Sequence, residues 1–292
     1  MKPSLALIGP GKVGCAVSKR LRQAGYSISA VISRDLSRAV DACSFIGCTT
    51  QTATTDLQRA SSATLILLAV PDDQITGLAS NLTQQLSAQE GRTLLHFSGL
   101  HPAEIMRSPG CQATLLSIHP LLSFADRQLA SERLYNCPCA VEGEEIAVQL
   151  GKELVSAFGG RPFRIASDQK ALYHASACIA SNFLVTLLAT ATKLLGECGI
   201  DQQQAGNLLS PLIKTTIENV TEFGPEQGLT GPIVRGDQGT VATHIAALEK
   251  VSLQIGMFYK FLGCSTVELA QKSGRLQPAD AEKLEKILGK NF

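Results

Sequence analysis

The sequence predicts an α/β fold, a doubly wound, mostly parallel sheet over residues 1–166 followed by an all-helical second domain over 167–292. Three observations predict it. Short apolar runs of strand length alternate with helix-length stretches through the first half, the rhythm of β-α-β units. One of those runs, Ala63 to Val70, is nearly unbroken in its apolar character, the pattern of a strand covered on both faces. Past Ser167 the strand signals stop, and a helical pattern runs from Asp168 to Cys198 without a proline.

The elements follow in order. Ser4 to Ile8 is a first strand, turned by Gly9-Pro10-Gly11-Lys12-Val13-Gly14 into a helix ending near Ala24. Ser27 to Ser33 is the second strand, with a helix from Asp35 towards Ala42, and Phe45 to Thr49 reads as a short third strand. Ala63 to Val70 is the fourth strand, followed by a helix to about Leu86. Arg92 to Phe97, Ala113 to Ile118, Asn136 to Val141 and Arg161 to Ile165 are further strands, with a helix from Glu144 to Phe158. The second domain holds helices at 168–198, 201–222, 240–262 and 279–288.

Composition narrows the function classes. Lys and Arg total 26 against 25 Asp and Glu, a net charge of +1. Without a charged tail or basic stripe, neither nucleic acid nor an anionic membrane surface is an expected partner. The nine cysteines form no Cys-x-x-Cys pair and suit a reducing, cytoplasmic setting better than a disulfide framework. No metal-ligating pattern stands out. The most apolar stretch, Ala171 to Leu188, carries His174, Ser176, Ser181 and Asn182, which points to a buried core helix rather than a membrane span.

The glycine turn carries the first functional signal. Gly9 makes the tight turn, Gly11 lets backbone approach a pyrophosphate, and Gly14 lets helix and strand pack closely. The phosphates would rest on the N–H groups and positive dipole end of the helix. A nucleotide P-loop fits poorly, because Val13 follows Lys12 where Ser or Thr would hold magnesium. In an NAD site the second strand ends in an acidic residue that bonds the ribose 2′-OH. Here that place is taken by Ser33 and Arg34, a hydroxyl and a guanidinium suited to a 2′-phosphate. Asp35 reads as a helix N-cap instead. The expected cofactor is therefore NADP rather than NAD, with Arg38 adding charge.

Ligands of open α/β sheets lie beyond the carboxyl ends of the strands. Val70-Pro71-Asp72 would pass along the cofactor's ribose, Ser98 would lie near the nicotinamide, and His119 would enter the cleft. Histidine is the side chain best poised to exchange protons near neutrality. At the head of the long helix Lys170 and His174 stand one turn apart and share a face, continued by Cys178 and Asn182. Unpartnered polar burial costs a few kcal/mol, so these residues either bond within the core or line the cleft. Lys170 and His174 are expected to look into the cleft, and Asn182 either lines it or makes a buried helix-to-helix bond. In the dense turn Thr230-Gly231-Pro232-Ile233-Val234-Arg235-Gly236-Asp237, Arg235 either clamps a substrate carboxylate or pairs with Asp237 to lock the loop.

With these pieces placed, the chain resembles Rossmann-like proteins that carry a C-terminal "domain of unknown function 2520". The resemblance rests on Gly9 to Gly14, Val70-Pro71-Asp72, Phe97-Ser98-Gly99, His119-Pro120-Leu121, Tyr173-His174 through Ser181-Asn182, and Thr230-Gly231-Pro232 with Arg235-Gly236-Asp237. More distantly it is similar to the superfamily of 6-phosphogluconate, 3-hydroxyisobutyrate, ketopantoate, pyrroline-5-carboxylate and prephenate enzymes. That resemblance implies an N-terminal NAD(P) domain and a helical domain that pairs two copies through long helices. It implies that His119 bonds the hydroxyl being oxidised, as the His-Pro of prephenate dehydrogenases does, and that Ser98 touches substrate. Lys170 falls near the catalytic Lys of the hydroxyacid enzymes, although their glycine-rich lead-in is missing and Asn182 is spaced further on.

The resulting expectation is an NADP-dependent oxidoreductase acting on a small carboxylate-bearing carbonyl, alcohol or imine. His119 or Lys170 would handle the proton, Ser98 and His174 would orient the reacting oxygen, and Asn182 and Arg235 would bind substrate. The alternative is a dinucleotide-binding sensor without turnover.

Overall fold

The computed structural model describes residues 2–86 and 90–289. The chain divides into two compact units, 1–182 and 183–292, further along than the change of rhythm near residue 166.

The first unit is built on one sheet. Its strands are β1 (Ser4–Ile8), β2 (Ser27–Ile32), β3 (Ala53–Thr54), β4 (Leu65–Leu68), β5 (Thr93–His96), β6 (Thr114–Pro120), β7 (Pro138–Gly143) and β8 (Arg161–Arg164). They are ordered β3-β2-β1-β4-β5-β6-β7-β8. All neighbours run parallel except β6 and β7, which are antiparallel with His119 opposite Ala140. The sheet carries α1 (Lys12–Gln23), α2 (Leu36–Ile46), α3 (Asp72–Gln85), α4 (Arg127–Arg133) and α5 (Glu145–Ala157). Strand residues alternate between two apolar cores. Leu5, Leu7, Leu65 and Leu67 pack into one with residues of α1, α2 and α5. Ala6, Ile8, Ile66 and Leu68 pack into the other with residues of α3. Burial on both faces accounts for the unbroken apolar run in β4, each fully buried Leu or Ile contributing about 1.5–3 kcal/mol.

Three local expectations are corrected. The expected third strand at Phe45–Thr49 begins inside α2. Ala39, Ala42, Cys43 and Ile46 form one buried stripe at helical spacing, and the helix closes on Gly47 at φ 84°. The third strand comes later, at Ala53–Thr54. The expected continuous helix at 168–198 is instead a 3₁₀ turn at Ser167–Gln169, α6 (Lys170–Cys178), a π-helical turn at Ile179–Phe183, and α7 (Leu184–Glu197). Nor is the apolar stretch a buried core helix within the single chain. Leu172, Ile179, Phe183 and Val185 are exposed, and the run Ser167–Glu197 is long and apolar enough, by length and composition, to cross a membrane.

The second unit is helical among its described residues. After α7 come α8 (Gln202–Gly228), α9 (Gln238–Val251), α10 (Leu253–Lys272) and α11 (Pro278–Leu288). The expected end at Glu222 anticipates a real break, since Gly224 in α8 leaves helical geometry at φ 77° and Pro225 follows. The expected single helix at 240–262 is two, because Ser252 is extended and caps α10. Val241, Val267, Ala270, Leu284 and Leu288 form this unit's own core.

Candidate active site

The dinucleotide turn is shaped by its glycines. Gly9 has φ 75°, and a Cβ there would come within 2.6 Å of a Val70 methyl. At Gly14 a Cβ would lie 2.5 Å from the Ala69 Cβ and 2.7 Å from Leu7, so only glycine lets α1 meet β1 and β4. Gly11 is different. A Cβ there would meet the Ala69 and Gly9 carbonyls at 3.7 and 4.0 Å, ordinary contact distances, so the chain leaves room beside it. Gly11 also begins α1 with no side-chain cap and no acidic residue in the first turn, leaving its N–H groups and dipole to an anion.

A cavity of about 810 Å³ opens at this turn, beyond the carboxyl ends of β1, β2 and β4. Gly9, Pro10, Gly11, Lys12, Val13, Ser33, Arg34, Arg38, Val70 and Pro71 line it, together with Thr55 and Asn81. Gly14 does its work behind the wall. Asp35 caps α2, receiving the Ser37 N–H at 2.8 Å. The acidic ribose ligand of an NAD site is thereby replaced by Ser33, Arg34 and Arg38 around the cavity. These residues fit a dinucleotide with a 2′-phosphate.

Ser98 lines the same cavity, yet its hydroxyl is occupied. It donates to Asp72 Oδ2 at 2.7 Å and accepts the Leu100 and His101 N–H groups at 3.2 and 3.0 Å. Its own N–H donates to His96 Nδ1 at 3.1 Å, and His96 Nε2 lies 3.2 Å from the Pro102 carbonyl. That pairing makes Nε2 the protonated nitrogen of a neutral ring. Burial, with Lys170 nearby, pushes His96 down to about 4. The hydroxyl shapes the 98–101 turn rather than standing free for substrate.

Two imidazoles converge above Gly99. A Cβ on Gly99 would collide with His174 Nδ1 and come within 2.9 Å of His119 Nε2, so glycine is what admits both rings. His119 stands inside β6 rather than beyond its end, and its Nδ1 lies 2.8 Å from the Tyr173 hydroxyl. Burial, with His174 and Lys170 nearby, pushes His119 down to about 4. Burial also raises Tyr173, which stays a phenol. His174 Nε2 meets Cys178 Sγ at 3.7 Å along the helix face, whereas its buried Nδ1 has no hydrogen-bond partner among the described residues. A buried nitrogen left open beside His119 is what a site awaiting a polar ligand atom presents.

Lys170 departs from expectation. It does not look into the cleft; it is 1% exposed, and its ammonium donates to the Ser98 carbonyl at 3.0 Å and to Ser117 Oγ at 2.6 Å. Burial lowers it to about 8, while Glu142 and Asp72 oppose the shift. Glu142, itself buried, receives the Ala103 N–H at 2.6 Å and the Ser167 hydroxyl at 2.7 Å. Sequence reasoning missed His96 and Glu142, and gave Ser117 no role. The available signal was a titratable residue on each of two otherwise apolar strands.

The remaining candidates stand elsewhere. Asn182 is exposed in the π-helical turn. Arg235 is exposed in the loop before α9, where the Asp237 carboxylate takes the Thr240 N–H and hydroxyl as an N-cap.

Comparison with known proteins places both halves. Residues 2–120 match a Rossmann-like domain, and residues 137–266 match a domain of unknown function, DUF2520. No curated protein matches the chain in sequence. Among solved structures, a Thermotoga maritima protein is 27% identical with a TM-score of 0.70, the match covering 92% of this chain and 98% of that one. A candidate NADP oxidoreductase from Bacteroides fragilis is 22% identical with a TM-score of 0.73, covering 89% and 96%. The NADP-bound pyrroline carboxylate reductase of Plasmodium falciparum is 13% identical with a TM-score of 0.58, covering 98% of both chains. The last two likenesses show the shared fold.

Proposed function

The chain belongs to the proteins that join a Rossmann-like domain to a DUF2520 domain, and from that premise we propose that it is an NADP-dependent oxidoreductase. Its substrate is a small, carboxylate-bearing carbonyl, alcohol or imine. The observation that carries the reading is an adjacency. Ser98 lines the same cavity as the dinucleotide turn and Arg34, and the next residue, Gly99, lies against His119 Nε2 and His174 Nδ1.

Gly11 and the first turn of α1 would hold the pyrophosphate, and Ser33, Arg34 and Arg38 the 2′-phosphate. Bound there, the nicotinamide supplies or accepts the hydride. The chain's own work is to hold geometry while one proton is exchanged. His119, neutral and tied to Tyr173, and His174, with Nδ1 open, orient the reacting polar atom. Titratable groups clustered around Ser98 and Gly99, next to a cofactor-sized cavity, favour turnover over a sensor. The solved NADP-linked relatives of like fold support the same reading.

Pairing of two copies belongs to this proposal. Leu253, Met257 and Phe261 stand exposed at four-residue spacing along α10, and Leu208 and Leu212 do the same on α8. Apolar faces of this kind mark association surfaces. A second copy presents the same faces and is the occupant we assign.

The direct test is NADPH absorbance across a panel of keto acids, hydroxy acids with NADP, and cyclic imines. Turnover on at least one class is expected. Tight NADPH binding with silence across the panel would establish the sensor instead.

A further inference from the structure

The Ser98–Gly99 peptide is held in an unusual way. Its carbonyl accepts the ammonium of a fully buried lysine, Lys170, at 3.0 Å. On the other side of the same peptide unit, the N–H of Gly99 donates to no group among the described residues, although Gly99 is buried. The neighbouring N–H groups are all spent, Ser98 on His96 and Leu100 and His101 on the Ser98 hydroxyl. An orphaned backbone N–H in a buried turn is rare and calls for a ligand. This one belongs to the residue beneath His119 Nε2 and His174 Nδ1.

We propose that the Gly99 N–H is a hydrogen-bond donor to the substrate's reacting oxygen, and that Lys170 is the positioning residue that polarises it through the Ser98 carbonyl. The inference rests on the oxidoreductase reading and deepens it. A cation on a peptide oxygen draws electron density from the amide nitrogen and strengthens its N–H as a donor. A fixed donor of that kind stabilises charge that develops on oxygen. On reduction the carbonyl carbon gains a hydride from the dihydronicotinamide, the C=O π pair moves onto oxygen, and a proton from solvent completes the alcohol. The oxygen is most negative midway, where the Gly99 N–H is of most use. Such a donor needs a lone pair on the reacting atom, which a carbonyl offers and a protonated iminium does not.

Lys170 is therefore not the proton donor. Its ammonium is committed to two acceptors and excluded from solvent. Around it stand Glu142 from β7, Asp72 from α3, His96 from β5 and His119 from β6. The two carboxylates balance its charge and the two imidazoles are neutral near pH 7, so Lys170 is the member of the group that titrates near pH 8.

The test uses the full, ligand-free chain labelled with ¹⁵N-glycine and ¹³C′-serine, which together mark only the Ser98–Gly99 and Ser273–Gly274 peptides; the second is recognised by its loss in Gly274→Ala, where a side chain meets nothing within 4 Å. The expected Gly99 amide proton lies downfield at pH 7 and moves upfield through a step centred near pH 8. In Lys170→Met it lies upfield at every pH and shows no step. A Gly99 amide that is flat between pH 7 and 9 in the native chain overturns the proposal, and this titration decides even if the variant fails to fold. The outcome is separable from the parent reading. A flat Gly99 titration leaves oxidoreductase turnover standing, whereas a silent substrate panel leaves the polarised peptide standing.

Discussion

His96 and Lys170 are both buried and both shifted downward, with opposite consequences for the charge they carry near pH 7. His96 sits at about 4 and is neutral, so the unfolded chain takes up a proton before the folded one as pH falls. Its contribution to stability is complete above about pH 6.5 and is lost between there and about pH 4. For a shift of that size, linkage gives about 3 kcal/mol. Urea midpoints should fall as pH drops from about 7 to 4.5, and the fall should be shallower in His96→Gln. An equally steep fall in the variant would remove His96 from the account. Lys170, at about 8, stays charged near pH 7, and the fold gains stability as pH rises from there towards the free lysine value. A loss of activity above pH 8 would thus come while the fold strengthens, which separates it from unfolding. Neither role was legible in the sequence. A histidine ending an apolar strand and a lysine starting a helix do not reveal that they meet through the peptide groups around Ser98.

At the scale of elements, the glycine turn was fully legible because its constraints are local. Gly14 is set by its distance to Ala69 and Leu7, and the strand-turn-helix around it needs no distant partner. The third strand was misplaced because Phe45-Ile46 is apolar enough for either structure, and the deciding feature was the buried stripe one and two turns back in α2. The helix after Ser167 shows a different limit. Its apolar content is evident in sequence, but what covers it is not. Leu253, Met257 and Phe261 on α10, with Leu208 and Leu212 on α8, bury little within one chain. Light scattering on the purified protein should give twice the chain mass, and Met257→Glu with Phe261→Glu should shift it towards a single chain. A native monomer would refute pairing through these faces.

Over the whole molecule, alternation of strand and helix and the later all-helical pattern were enough to anticipate the architecture. The antiparallel β6–β7 pair and the division at residue 182 depend on long-range packing and carried no local mark. The cavity wall was equally readable, since its residues follow strand ends at known offsets. The arrangement beyond Ser98 was not, because it depends on β5, β6, β7 and α6 meeting. That meeting supports the central claim that a dinucleotide cavity adjoins a pair of imidazoles able to orient a reacting oxygen. The most direct test compares the native chain with His119→Ala, measuring NADPH affinity by titration and turnover on an active substrate from the panel. NADPH affinity should stay within about threefold while turnover falls by about 10²-fold or more, the loss expected when a group that fixes the reacting geometry is removed. Equal losses in both, or unchanged turnover, would contradict the account.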